Sequence, residues 1–146
     1  MESINMQTTE NPFINKVDIE LKRAQRYQIF ISLLVYDISS VKSDIKDQSD
    51  KFQADILNLV SKKIREIDDV SLIDSSKIAL LLPETNRQGA EIASKRISTV
   101  IREYLKENAS EELFEKIYPE MASYPDAAGT KTIKDFITDN SSLNIN

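Results

Sequence analysis

A chain of 146 residues, 40% hydrophobic and 29% charged, has the size and composition of one soluble globular domain with a single sizeable core. It contains no Cys and no His, which excludes disulfides, thiolate metal sites and imidazole acid–base or ligand chemistry. A net charge of −5 argues against a dedicated nucleic-acid surface but leaves room for a local basic pocket. No apolar run approaches the ~20 residues that span a bilayer, and the first residues lack the basic and apolar regions of a secretory leader. The expectation is a cytoplasmic protein with no membrane insertion.

In chain order, Phe13, Val17, Leu21 and Ala24 recur three or four apart and predict an amphipathic helix ending near Tyr27. Residues 29–36 are short, apolar and rich in β-formers, and predict a central strand. Phe52, Ile56, Leu59, Val60, Ile64 and Ile67 return to helical spacing and predict a helix over 52–67. A strand over 70–73, a turn at Asp74, Ser75 and Ser76, and a strand over 77–82 ended by Pro83 follow. A long helix over 86–106 presents Ala90, Ala93, Ile97 and Ile101 on one face. Residues 111–116 read as a helical turn and 117–124 as a weak strand damaged by Pro119. Residues 132–139 read as a last short helix and 140–146 as a frayed polar tail. Alternating strands and helices predict an α/β sandwich, with the strand order left open.

Three segments carry more than periodicity. Arg23, Ala24, Gln25, Arg26 and Tyr27 precede the first strand. Asp37, Ile38, Ser39, Ser40, Val41 and Lys42 follow it. Leu80, Leu81, Leu82, Pro83, Glu84 and Thr85 end the third strand. Together they resemble the GGDEF family, the diguanylate cyclases, whose pattern runs RAxRY, apolar strand, DIDxFK, GGDEF hairpin, LLPxT. The resemblance covers roughly residues 2–139. It implies a palm-type fold with a central, mostly antiparallel sheet flanked by helices.

The same resemblance exposes replacements. Cyclisation of GTP needs carboxylates holding magnesium against the phosphates. Asp37 matches the strand-end metal acid, but Ser39 stands at the second Asp of DIDxFK. Asp74 and Ser75 fall at the two glycines, Ser76 at the Asp and Lys77 at the Glu of the hairpin. Ile45 and Lys46 fall at the guanine-reading Asn-Asp. The expectation is a degenerate domain that is not a diguanylate cyclase, has no catalytic residues and needs no magnesium. Asp37 is then a solvated strand-end carboxylate, or the partner of Lys77 in an ion pair that replaces the metal.

One family motif persists. The inhibitory product site, or I-site, carries RxxD before the hairpin and an arginine in the following helix. Arg65, Glu66, Ile67 and Asp68 match the first part, and Ala93, Ser94, Lys95, Arg96 and Ile97 the second. The resemblance therefore implies a cyclic di-GMP site of Arg65, Asp68 and Arg96. Arginine forks suit phosphates and the O6/N7 edge of guanine, and a carboxylate accepts from guanine N–H groups. The bland alternative is an ordinary i,i+3 helix-surface pair. The leading function is an inactive GGDEF domain acting as a cyclic di-GMP receptor. The alternative is a nucleotide-independent interaction or homodimerisation module. Lys22, Arg23, Lys62 and Lys63 read as solvated faces, Glu111 and Glu112 as a helix start, and Tyr118 and Tyr124 as packing residues.

Overall fold

A computed structural model describes residues 11–126 and 129–140. The expected first residues of the domain and the tail beyond Asn140 lie outside the described residues. Helix α1 (Pro12–Tyr27) starts at Asn11, whose side chain accepts from the Phe13 amide, and stops at Gln28 in the left-handed region. Strand β1 (Ile31–Asp37) leads into a short helix α2 (Ser39–Ile45) and, after one 3₁₀ turn, into α3 (Ser49–Ser61). Strands β2 (Asp69–Ile73) and β3 (Lys77–Pro83) form a hairpin, followed by α4 (Arg87–Asn108). A 3₁₀ segment (Glu111–Lys116), strand β4 (Pro119–Tyr124) and α5 (Ile133–Asp139) complete the described chain.

The four strands form one sheet in the order β2-β3-β1-β4. Every neighbouring pair is antiparallel. Side-chain alternation divides β1 between two cores. Leu34 and Tyr36 pack with Leu80, Leu82 and the buried faces of α3 and α4. Ile31, Leu33 and Val35 pack with Leu81 and the buried faces of α1 and α5. The sheet is thus covered on both sides, which explains why β1 and β3 read as nearly unbroken apolar runs. Pro119 is tolerated because β4 lies at a sheet edge and the proline stands at its first position.

Two sequence expectations need correction. Helix α3 ends at Ser61, although Ile64 and Ile67 continue its apolar spacing. The chain there turns, and Ile64 still packs against the α3/α4 core while Ile67 is exposed. Helix α2 (Ser39–Ile45) lies outside these sequence expectations, because its apolar stripe is only about two turns long, Ile38 at the cap, Val41 buried and Ile45 partly covered by the same core.

Candidate functional site

The resemblance assigned functional residues to two places, and the fold keeps these places apart along the sheet. One lies at the β2–β3 turn beside the end of β1. The other lies where β3 ends, near the start of α4.

At the first place, Asp74 and Ser75 both adopt positive φ, 45° and 57°, and the Ser76 amide donates to the Ile73 carbonyl at 3.1 Å. Backbone of this kind normally selects glycine, because a Cβ crowds the left-handed region. The turn is braced from outside by Lys42, whose ammonium donates to the Ser75 carbonyl at 2.6 Å and to the Gln53 side chain. The Ile38 amide donates to Ser76 O at 2.8 Å, joining the end of β1 to the turn.

The Asp37 carboxylate accepts from the Ser39 amide at 2.9 Å and the Ser39 hydroxyl at 2.7 Å. Partial burial pushes its pKa up, but the two Ser39 hydrogen bonds and the charge of Lys77 outweigh this and hold it below the usual carboxylate value. Lys77 stands directly across from Asp37 in the β1–β3 register. Its ammonium nevertheless lies 3.9 Å from Asp74, so of the two readings of Asp37 the ion pair with Lys77 gives way to a longer-range attraction. Ser76 also donates to Asp74. Ser39 thus engages one oxygen of the Asp37 carboxylate, Oδ1, through both of its hydrogen bonds. Among the described residues, no group of three or more Asp, Glu, His or Cys side chains is placed to hold a metal.

At the second place, Arg65, Asp68 and Arg96 line one groove of about 330 Å³, with Phe30, Glu84, Thr85, Asn86 and Gly89 among its other walls. Arg65 and Asp68 sit not on a helix but in the turn between α3 and β2, which overturns the helix-surface reading. Asp68 is the organiser of that turn. Its carboxylate is 1% exposed and accepts from the Arg65 amide at 2.8 Å, from Arg65 Nη2 at 2.7 Å and from Arg65 Nε at 3.1 Å. Arg65 Nη2 also donates to the Pro83 carbonyl at 2.9 Å and the Thr85 hydroxyl at 2.7 Å. One guanidinium therefore ties the turn to the end of β3. Its bonds to Asp68 raise the Arg65 pKa above the ordinary arginine value, so it is charged at every accessible pH.

Arg96 reaches the same groove from α4 and is exposed. Its Nε donates to the Lys63 carbonyl at 3.0 Å, which pins the helix to the α3–β2 turn. Asn86 caps α4 by accepting from the Gly89 amide at 2.8 Å. A Cβ at Gly89 would meet the Thr85 methyl at 3.0 Å, so glycine allows Thr85 to lie against the first turn of α4. Thr85 is held from below as well, since Ser32 Oγ donates to its carbonyl at 2.7 Å.

Sequence reading thus placed three residues of the groove and missed the rest. In the sequence Glu84 and Thr85 stand out only as the end of a strand motif. Phe30 was hidden inside an apolar run, although its phase with Leu34 and Tyr36 puts it on the α4 side of the sheet. In formal charge the groove is balanced, Arg65 and Arg96 against Asp68 and Glu84.

No family model matches the chain, and no curated protein matches it. Solved structures do. The diguanylate cyclase SiaD from Pseudomonas aeruginosa, solved in complex with its activator SiaC, superposes with a TM-score of 0.63 at 17% identity. That match covers 90% of this chain and 52% of SiaD, so the chain spans about half the length of that relative. The GGDEF domain of YfiN (TpbB) from the same organism gives 0.57 at 14% identity, over 88% of this chain and 81% of that domain. The active GGEEF domain of a diguanylate cyclase from Vibrio cholerae gives 0.56 at 20% identity, over 84% of this chain and 78% of that one. No described helix is long and apolar enough to cross a membrane. A four-stranded antiparallel sheet in the order β2-β3-β1-β4, helices on both faces and these superpositions together make this chain a domain with the GGDEF fold.

Proposed function

We propose that the domain is a receptor for cyclic di-GMP that does not synthesise it, and that the ligand sits in the groove of Arg65, Asp68 and Arg96. One observation carries this reading: Arg65 from the α3–β2 turn and Arg96 from α4 line the same groove at the start of α4. The positive end of the α4 dipole adds to the attraction for phosphate. Arg65 is already oriented by Asp68, so its fork is pre-organised, and Asp68 acts on ligand through Arg65 rather than as a free acceptor. The inactivity reading rests on the other end of the sheet, where Asp37 serves Ser39 and Lys77 faces it.

Isothermal titration of cyclic di-GMP tests the proposal. The expected result is micromolar or tighter binding by the wild type, weakened ~10-fold or more by Arg96→Ala, which removes charge-assisted hydrogen bonds to the ligand. GTP with magnesium should yield no cyclic product. Absence of binding at high ligand concentration, or product formation, would overturn the respective half of the reading.

A second reading, as a protein-interaction module, is favoured by Ile19 and Tyr27, which stand more than half exposed on α1, on the sheet face opposite α4. SiaD, of the same fold, is known in complex with a protein activator.

A further inference from the structure

The groove has an aromatic wall that the arginine trio does not account for. Phe30 immediately precedes β1, in phase with Ser32, Leu34 and Tyr36, so its ring lies on the α3/α4 side of the sheet. Its neighbours in that row are covered, Ser32, Leu34 and Tyr36 all being fully buried. Phe30 lies beyond the end of that cover and remains 50% exposed, on the wall of the groove. The small residues Gly89 and Ala93, also on that wall, keep the first turns of α4 from filling the space before the ring.

The formal charge of the groove sums to zero, Asp68 and Glu84 offsetting Arg65 and Arg96. Its hold on phosphate comes from direct arginine hydrogen bonds and the α4 N-terminus and not from net charge. A ligand that offers only phosphate has that contribution alone. A ligand that offers phosphate and a flat base gains a second contribution, since an exposed ring beside guanidiniums can carry a stacked base.

We infer that Phe30 is the base-stacking platform of the groove, and that the groove accepts nucleotides through a base stacked on Phe30 while the arginines take the phosphates. This rests on the reading of the groove as a nucleotide site and adds to it the residue that makes a base obligatory. The platform selects for a π face, not merely for apolar bulk. Leucine, of similar size but without a flat face, would not replace it.

The experiment is a titration of the wild type, Phe30→Ala, Phe30→Leu and Phe30→Trp with cyclic di-GMP, and of the wild type with inorganic pyrophosphate as a base-free control. Thermal unfolding of each variant monitors folding, which a half-exposed side chain should leave nearly unchanged. The expected result is a loss of ~10-fold or more in affinity for Phe30→Ala and Phe30→Leu, with Phe30→Trp close to wild type. Pyrophosphate should bind far more weakly than the dinucleotide. Wild-type binding that Phe30→Ala leaves intact, or that Phe30→Leu fully restores, overturns the platform while leaving the arginine site standing. Absence of dinucleotide binding by the wild type overturns the nucleotide reading itself and the platform with it.

Discussion

At the scale of single residues, the informative contrast is between Asp68 and Arg96. Both follow from the same motif resemblance, yet they do different work in the fold. Asp68 is buried and fully engaged by Arg65, whereas Arg96 is exposed and anchored through one nitrogen. Removing Asp68 leaves the Arg65 amide without its acceptor and frees a guanidinium that joins the α3–β2 turn to Pro83 and Thr85. Arg65 is about half exposed, so water can take over much of its solvation, and the loss is smaller than for a fully buried pair. Asp68→Ala should therefore lower stability by about 1–2 kcal/mol, and Asp68→Asn by less, because the amide oxygen still accepts from the Arg65 N–H. Urea unfolding at neutral pH reads this as a shift in midpoint at constant slope. A change of only a few tenths for Asp68→Ala would show that the turn holds without its carboxylate. Sequence alone supplied the Arg65–Asp68 spacing. It could not supply the burial of one partner, because that depends on Pro83 and Thr85 arriving from β3.

At the scale of elements, legibility followed periodicity. The long helix α4 and the apolar strands β1 and β3 were legible nearly end to end, since each buries a face whose period is visible in the sequence. Helix α3 was over-extended because Ile64 packs on the same core from a turn, which spacing cannot distinguish from another helical step. Helix α2 escaped because it is seven residues long and its inward stripe is short, Val41 buried and Ile45 only partly covered. The β2–β3 turn was located correctly, but its tension was not apparent: Asp74 and Ser75 are consecutive left-handed residues without glycine. Aspartate tolerates that region better than serine does. Ser75→Gly should therefore stabilise the domain by about 0.5–1 kcal/mol, the relief of left-handed strain outweighing the entropy that glycine adds to the unfolded chain. The Lys42 brace survives the change, since it grips the Ser75 carbonyl and not its side chain. A raised melting temperature with unchanged secondary structure is the expected observation. A lowered one would mean that the Ser75 hydroxyl, bonded to the Asp74 carbonyl at 2.7 Å, contributes more than the strain costs.

At the scale of the whole molecule, one sheet serves two cores, and β3 shows this within two adjacent residues. Leu80 and Leu81 are both fully buried, Leu80 against the α3/α4 layer and Leu81 against the α1/α5 layer. Neither helical layer can be wet without exposing one face of the same strands, so the two cores should fail together. Truncation at either position creates a cavity and should cost about 2–5 kcal/mol. That is a large part of the ~5–15 kcal/mol typical of a domain. Two-state unfolding then requires Leu80→Ala and Leu81→Ala each to shift a single transition, with far-UV circular dichroism and tyrosine fluorescence coinciding. The tyrosines serve as local probes, since Tyr36 lies in the α3/α4 core and Tyr124 packs against the other. The alternative outcome is specific. If the α1/α5 layer is an independent cover, Leu81→Ala will split the transition in two, part of the helical signal and the Tyr124 change coming before the α3/α4 core around Tyr36 opens. Coincident curves in both variants would mean that the groove at the end of β3 is held by the entire fold. Any ligand that bridges the α3–β2 turn, β3 and α4 would then stabilise the domain as one cooperative unit.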